Sequence, residues 1–388
     1  MTEFVSGNRI TLLRNGAEYF PALAAEFDAA QREIHLEAYI YEDDVAGRTI
    51  AAALARAARR GVATYVLVDG FGSKDLGSEL IEGLRAAGVR FLVYRPNISP
   101  WTFRRARLRR MHRKVAVIDA RVAFVGGINV IDDMDTPKHT PPRFDYAVRI
   151  DGPLVARIHR VVKRLWALVT ATQFKSTSAG LRDLGPFTAP RGGQRAAFLV
   201  RDNVAHRRDI EQAYLAAIRR ARSEIVIASA YFFPGQSFRR ALMDAAARGV
   251  RVILLLQGRV EYVLLHYASR ALYGAFLDAG IEIHEYRKSF MHAKVAVIDR
   301  HWATVGSSNI DPFSFLLARE ANVVIEDDKF AGQLRASLLA AMTKGAVHVR
   351  RESWAAQPLA VRALTWTSYG LARFLTGVFA YGRAGEFT

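Results

Sequence analysis

The sequence predicts an α/β protein made of two tandem repeats, each an α/β/α sandwich, related by a pseudo-two-fold axis with one site between them. Three observations predict this. The text MHRKVAVIDARVAFVGGINV at 111–130 returns as MHAKVAVIDRHWATVGSSNI at 291–310. Strand-like and helix-like segments alternate in the same order in both halves, the pattern that yields sheets covered by helices. At 388 residues and 51% hydrophobic content, the chain is long and apolar enough for two packed cores.

The elements follow in order. In the first half REIHLEAYIY reads as a strand, Gly47 to Arg60 as an Ala-rich helix and VATYVLVDG as a buried strand. Leu76 to Ala87 follows as a helix and VRFLVYRP as a strand. In the second half SEIVIASAYFFP is a strand, Gln236 to Arg248 a helix, VRVILLLQG a strand, Val260 to Ala279 one helix and IEIHEYR a strand. RRGV at 59–62 answers ARGV at 247–250. The sheet in each half is expected to be mostly parallel or mixed.

FKSTSAGLRDLGPFTAPRGGQ at 174–194 is rich in Ser, Gly and Pro without apolar periodicity, as suits a linker. The expected organisation is a first repeat at 1–173, a linker at 174–194, a second repeat at 195–350 and a C-terminal tail at 351–388. In that tail Leu364, Leu371, Leu375 and Val378 fall on one side of a helix running from Leu359 to Tyr381, with Arg362 and Arg373 on the other. Such a helix suits a membrane interface, with Trp366 and Tyr369 as anchors. Packing on the protein's own surface is the competing expectation.

Lys and Arg number 55 against 37 Asp and Glu, a formal net charge of +18. That excess points to phosphate-rich partners, either nucleic acid or an anionic membrane. There are no cysteines, which excludes disulfides and thiolate chemistry. The start MTEFVSGNRI lacks the basic region and apolar run of a signal peptide. No stretch reaches the roughly 18 apolar residues of a membrane span, so membrane contact is expected to be peripheral.

The repeated segment carries the chemistry. His112, Lys114, Asp119, Gly126 and Asn129 recur as His292, Lys294, Asp299, Gly306 and Asn309 at identical offsets. VAVID after each Lys is a buried strand pattern. His and Lys two residues apart therefore share a face and can hold one phosphate between imidazole and ammonium. The Asp, an odd number of positions from His, falls on the other face and is read as shaping the turn. Gly127 and Ser307, after Gly126 and Gly306, let backbone approach a ligand, and Asn129 and Asn309 offer amide donors to phosphate oxygens. Ser307 adds a hydroxyl that Gly127 lacks.

Two such hairpins face to face would surround a phosphodiester with two His, two Lys and two Asn. Displacement at phosphorus needs a nucleophile, a proton for the leaving alkoxide and positive charge around the phosphorane. The pair supplies all three, so neither a cofactor nor a metal is expected. The acids Asp132, Asp133 and Asp135 read as a polar loop. Each imidazole needs a carboxylate behind its other nitrogen. DYAVRID at 145–151 answers EANVVIE at 320–326, which makes Asp145 and Glu320 the candidates. The segment before Asp145 is longer, with 33 residues from His112 to Asp145 against 28 from His292 to Glu320.

These residues resemble the phospholipase D superfamily, whose signature HxKxxxxD, followed after six residues by Gly-[Gly/Ser]-x-Asn, occurs twice in its monomeric members. Within it the chain is similar to bacterial cardiolipin synthases that lack N-terminal transmembrane helices. The likeness runs from about Asn8 to Val349. It rests on NRITLLRNGAEYFPAL, IHLEAYIYEDDVAG, AVRIDGPLV, YFFPGQSFRRALMDAAARGVRV, YGAFLDAGIEIHEYRKSFMHAK and VGSSNIDPFSFLLAREANVVI.

The resemblance implies the phospholipase D-like sandwich, the motif residues as the catalytic set, and a phosphohistidine intermediate. One histidine takes the phosphatidyl group; the other protonates the leaving alcohol and then activates the acceptor. Family precedent favours His112 as nucleophile and His292 as acid/base. The implied reaction moves a phosphatidyl group from phosphatidylglycerol to a second phosphatidylglycerol, releasing glycerol. The implied partners are phosphatidylglycerol, cardiolipin and a membrane surface, on the cytoplasmic side of the bacterial inner membrane. Oligomeric state is not readable from the sequence.

Upstream of the first motif, Trp101, Arg104, Arg105, Arg107, Arg109 and Arg110 suit lipid headgroups, guanidinium groups taking phosphates while the aromatic sits at the interface. Glu37 and Tyr39 are at most weak substrate contacts, and His35, His159 and His266 read as structural. A phospholipase D hydrolase or a metal-independent nuclease of the same superfamily is the alternative enzyme, although nucleic acid is the less favoured partner. A non-catalytic anion-binding protein is disfavoured by the intact His and Lys pairs.

Overall fold

The computed structural model describes residues 3–96, 109–136, 140–173, 184–202, 206–260, 263–311 and 318–381. The first half runs β1 (Val5–Arg14), α1 (Asn15–Ala29), β2 (Glu33–Ala38), α2 (Val45–Arg59), β3 (Ala63–Asp69), α3 (Ser78–Ala86) and β4 (Arg90–Tyr94). It continues with β5 (Arg110–Met111), β6 (Val115–Ile118), β7 (Val122–Gly126), β8 (Tyr146–Asp151) and α4 (Leu154–Thr172). The second half runs β9 (Gln194–Arg201), α5 (Asp209–Arg220), β10 (Glu224–Ser229), α6 (Gln236–Ala247), β11 (Arg251–Gln257), α7 (Val263–Arg270), α8 (Tyr273–Asp278) and β12 (Glu282–Tyr286). Then come β13 (Lys294–Ile298), β14 (Trp302–Gly306), β15 (Ala318–Glu326) and α9 (Asp328–Gly345), followed by β16 (Ala346–His348), α10 (Arg351–Ala355) and α11 (Leu359–Tyr381).

Each half is a mixed sheet in the same order. Strands β2, β3 and β4 are parallel, as are β10, β11 and β12, because each pair is joined by a crossover helix. The hairpins β6–β7 and β13–β14 pair antiparallel beside them. The expectation of one helix from Val260 to Ala279 is corrected. Among the described residues that span holds α7 and α8, separated by a turn at Ala271 and Leu272.

The sequence reading assigned nothing to the opening strand of each half, and these two strands join the halves. β1 and β9 pair antiparallel, Asn8 opposite Gln194, so that both half-sheets belong to one sheet. Their inner faces also share a core. Val117, Val125 and Val148 from the first half belong with Val297, Val305 and Val323 from the second, together with Ile158 of α4 and Leu334 and Leu338 of α9. Truncating one fully buried Leu such as Leu338 to Ala costs about 2–5 kcal/mol.

The repeated RGV text is a helix terminator. Gly61 and Gly249 both have φ of +88°, the left-handed conformation that ends α2 and α6. The following valines close the same bonds, Val62 N to Ala57 O and Val250 N to Ala245 O, each at 3.1 Å. Of the segment expected as a linker, α4 ends at Thr172 and β9 begins at Gln194; residues 174–183 lie outside the described residues.

Candidate active site

The two hairpins set the position of each motif. Asp119 and Ala120 have φ of 51° and 55°, and Asp299 and Arg300 have 52° and 55°, paired positive values within three-residue hairpin connections that Arg121 N and His301 N close onto Ile118 O and Ile298 O. From its turn each Asp reaches the strand that its own hairpin lies beside. Asp119 accepts from the backbone N–H of Gln31, Arg32 and Glu33 at 2.8–2.9 Å. Asp299 accepts from Arg222, Ser223 and Glu224 at 2.8–3.1 Å. Both therefore stand at the far end of their strand from Lys, about 16 Å away at the rise of a β-strand, with His two residues further still. Grouped with the catalytic set by the motif, Asp119 and Asp299 are placed at the turns, each bound to the backbone of a neighbouring strand.

At the other end the two repeats exchange partners. β5 pairs with β15 of the opposite half, Met111 opposite Arg319, and His112 N donates to Arg319 O at 3.0 Å. The next residue on β15 is Glu320, and both its carboxylate oxygens lie 3.0 Å from His112 Nδ1. Symmetrically, Met291 bridges to Phe144, His292 N donates to Phe144 O at 2.8 Å, and Asp145 Oδ2 lies 2.7 Å from His292 Nδ1. The longer loop before Asp145 does not disturb this placement. Asn15, itself at φ 53°, donates from its backbone to Asp145 O and accepts the Asp145 N–H on its side chain.

Glu320, held ionised, accepts only, so Nδ1 of His112 carries the hydrogen and its Nε2 lone pair is left for chemistry; Asp145 behind Nδ1 of His292 can instead carry the hydrogen itself. The lysines close the site. Lys114 Nζ donates to His112 O at 2.8 Å, Lys294 Nζ donates to His292 O, and Lys294 Nζ lies 3.9 Å from Asp145 Oδ2. Both lysines are almost wholly buried.

Burial sets the protonation states. It pushes the His112 imidazole down to about 4 against the pull of Glu320, with Lys114 and Lys294 adding to the shift. Burial together with Lys294, Lys114 and His112 holds His292 well below the usual imidazole range. Burial and Lys294 likewise depress Lys114. The cross-repeat contacts of His112 with Glu320, and of His292 and Lys294 with Asp145, place both motifs around one site.

The two carboxylates differ. Burial pushes Asp145 up to about 7, opposed by Lys294. Burial also works against ionised Glu320, but His112, Lys114 and Arg201 outweigh it and keep that carboxyl below its usual range. Ser307 stands behind Glu320 as well. Its hydroxyl donates to Glu320 Oε2 at 2.5 Å, and it receives the N–H of Ala321 at 3.1 Å. Expected beside a phosphate, Ser307 has its hydroxyl on the carboxylate that backs His112. At Gly127 a Cβ would stand 2.4 Å from Asp145 Oδ1, so the smaller aspartate fills the space that Ser occupies in the other half.

The asparagines lie at the site with amide capacity to spare. Asn129 Oδ1 accepts from Ile40 N at 3.2 Å, which leaves its NH2 without a partner among the described residues. Asn309 is buried with Oδ1 unpaired among the described residues. Tyr39, weighed as a minor contact, stands edge-on to His112 at 4.5 Å with Lys114 over its ring at 5.0 Å. Glu37 faces Arg113 instead, accepting from Nη2 at 3.1 Å.

Sequence reasoning missed Asp69 and Gln257, which end the equivalent strands β3 and β11. Asp69 accepts Met111 N at 2.7 Å and Gln257 donates to Met291 O at 3.3 Å, so each holds the strand entering its motif. The repeat alignment of VLVDG with LLLQG was the available signal.

Of the arginine cluster, Trp101, Arg104, Arg105 and Arg107 lie outside the described residues. Arg110 stacks over Phe71 at 4.6 Å and donates to Arg109 O. Asp133 accepts from Gly16 N and ties its loop to α1. Glu33, His35 and His159 converge in the buried layer under α4, at the end of β2 away from Tyr39. His159 bonds Glu33 there, and the three have the donor types of a metal site. His266 lines a small cavity with Gln257 and Ser269.

The C-terminal helix α11 packs by its small and polar side. Thr365, Ser368 and Ala372 are buried, while Leu364, Trp366, Leu371 and Phe374 are 45–67% exposed. No helix of the described residues is long and apolar enough to cross a membrane.

Comparison with known proteins is consistent with this geometry. The model described as "Cardiolipin synthase, PLD-like domain" matches residues 23–166 and 214–341. The chain is 42% identical over 333 residues to cardiolipin synthase B of Escherichia coli K12, covering 86% of this chain and 80% of that protein. It is 34% identical over 320 residues to a cardiolipin synthase of Geobacillus kaustophilus, covering 82% of this chain and 63% of that protein. Among solved structures, the phosphatidylserine synthase of Haemophilus influenzae shares the fold, with a TM-score of 0.72 at 12% identity, covering 97% of this chain and 96% of that one.

Proposed function

The chain belongs to the cardiolipin synthase, phospholipase D-like family of phospholipid phosphatidyltransferases, and from that premise we propose that it makes cardiolipin from two molecules of phosphatidylglycerol through a phosphohistidine. The observation that carries this reading is the exchanged pairing of His112 with Glu320 and His292 with Asp145.

His112 is the nucleophile. Held at about 4, it is neutral at pH 7, and the ionised Glu320 behind it offsets the charge of the N-phosphorylated ring. The His112 Nε2 lone pair attacks the donor phosphorus and a P–N bond forms. The P–O bond to glycerol breaks, and the leaving alkoxide takes the Nε2 proton of His292. The His292–Asp145 pair suits that task because burial pushes its carboxyl up to about 7: protonated Asp145 donates to Nδ1 across the 2.7 Å bond while Nε2 carries the other hydrogen, and as that hydrogen passes to the alkoxide the carboxyl proton moves onto Nδ1.

In the return step His292 Nε2 takes the proton of the acceptor hydroxyl. That oxygen attacks phosphorus and the P–N electron pair returns to His112. Lys114, Lys294, Asn129 and Asn309 supply positive charge and donors for the phosphorane oxygens.

The protein acts at a bilayer surface, on the cytoplasmic face of the inner membrane. The outward apolar side of α11 supports this reading, flanked by the exposed Arg362 and Arg373. The test is incubation of purified protein with phosphatidylglycerol vesicles and lipid analysis. Cardiolipin and equimolar free glycerol are expected; phosphatidic acid without cardiolipin identifies a hydrolase instead.

A further inference from the structure

One group of metal-binding side chains lies apart from the active site. Glu33 and His35 open β2 and His159 stands on α4, all three buried. Glu33 and His35, two positions apart on the strand, share a face, and His159 bonds Glu33 from that side. One donor atom of each residue lies within 4.8 Å of the other two. Donors on a tetrahedral zinc ion, at bonds of about 2.0–2.1 Å, stand about 3.3 Å apart. Side-chain shifts of about 1–2 Å therefore bring all three onto one ion with the backbone in place.

His35 points most directly to a ligand. It is 1% exposed, and neither ring nitrogen has a hydrogen-bond partner among the described residues; Nε2 lies 3.7 Å from Glu33 Oε1. Oε2 of Glu33 is likewise buried and unpaired among them. Buried polar atoms are almost always partnered, so two such residues side by side call for a third party. The His35 ring lies flat against Tyr65, centroids 4.5 Å apart, and is thus oriented without any polar contact.

The second half shows what these residues replace. Glu224 opens β10 as Glu33 opens β2, each N–H donating to the aspartate of its motif. The Glu224 carboxylate is taken by Arg335 of α9 at 2.8 Å, with Arg251 at 3.6 Å, and Val226 holds the register position of His35. That half fixes helix to strand with guanidinium groups. In the first half imidazoles face the carboxylate, and an imidazole, unlike a guanidinium, has a lone pair to give to a metal.

We propose that Glu33, His35 and His159 form a structural zinc site that clamps α4 to β2. Two imidazoles and a carboxylate are a donor set suited to zinc, with water in the fourth position. The ion takes no part in phosphoryl transfer, because Glu33 and Tyr39 stand at opposite ends of one strand, about 20 Å apart at the rise of a β-strand. Its action is on the joint between the halves: α4 leads out of the first half, and Ile158, next to His159, belongs to the core that both halves share.

The test uses full-length protein, stripped with a chelator and then given ZnCl2. About one tightly held zinc ion per chain is expected, with a higher unfolding temperature than the stripped protein. Anomalous scattering from zinc-loaded crystals should place the ion among Glu33, His35 and His159, a readout that needs no variant. His35→Gln and His159→Gln should lose more zinc affinity than the about 10–100-fold that loss of an outer partner costs, and with it the zinc-dependent rise in unfolding temperature. Circular dichroism of the stripped variants checks their folding. His284 and His348, stacked at 4.8 Å on the sheet edge, are the competing pair, and His348→Gln should keep the tight site.

Zinc located at the edge pair or between His112 and His292 overturns the proposal, as does unchanged zinc affinity in His159→Gln. Wild-type protein that holds no zinc and gains no stability from it also overturns the proposal, and leaves His159 and Glu33 as a plain hydrogen-bonded pair.

Discussion

Glu320 lies 3.0 Å behind Nδ1 of His112 although 208 positions separate them and they belong to different repeats. Asp145 and His292 repeat the relationship in reverse at 2.7 Å. Neither half thus completes its own dyad, and the joint between β1 and β9 is part of the machinery.

Removing the charge without the shape tests this directly. Glu320→Gln and Asp145→Asn should each lower kcat by about 10²–10⁴, the range for losing the carboxylate that orients a catalytic histidine. Phosphatidyl transfer rates, with thermal unfolding as a control on folding, decide it. Variants within threefold of wild type would refute the exchanged pairing as functional.

The histidines should be unequal in covalent chemistry. With donor lipid labelled in the phosphatidyl group, acid-labile label is expected on His112 in wild type and in His292→Ala, and none in His112→Ala. Label retained in His112→Ala would reverse the assignment of nucleophile, and robust turnover in either single variant would remove the shared site.

Gly127 and Ser307 hold equivalent positions but should not tolerate exchange. Gly127→Ser places atoms within 2.4 Å of the present Asp145 Oδ1 and should cost at least about tenfold in kcat, by shifting that carboxylate from His292. Ser307→Gly removes the hydroxyl donor to Glu320 and should cost less. Equal activity in Gly127→Ser would show that the carboxylate adapts freely.

The dependence of kcat/KM on pH should be a bell. Nucleophilic attack needs neutral His112, so the acid limb lies near 4, below the 6.5 of free imidazole. Proton delivery needs the protonated His292–Asp145 pair. The rate therefore falls as pH rises through about 7, where Asp145 loses its proton. A profile flat from pH 6 to 9 would contradict the role given to that pair.

Asp119→Ala should act on stability. It strips the acceptor from three backbone N–H groups, a loss of roughly 2–4 kcal/mol at about 1 kcal/mol per bond. Urea unfolding measures this, while activity of the folded variant in the cold should stay within a few-fold. A stable but inactive Asp119→Ala would return this residue to the chemistry.

The sequence alone determined the doubled motif, the alternation of strands and helices between the opening strand and the motif of each half, and the two acids, Asp145 and Glu320, that stand behind the histidines. Each is legible because it depends on local periodicity or on text repeated in register. The same logic separated Asp119 and Asp299 from the histidines by strand parity, which their placement at the turns matches.

The tertiary structure decided what depends on contacts across the chain. Register alone could not reveal that Glu320 serves His112 and Asp145 serves His292, because strand pairing between repeats leaves no local pattern. Nor could it show that the Ser307 hydroxyl reaches Glu320, since a glycine-serine turn reads the same whichever way the hydroxyl points. The helix α11 is the last case. Its amphipathic pattern was plain, but only packing decided that Thr365, Ser368 and Ala372 face the protein and the leucines face out, because burial is a property of neighbours.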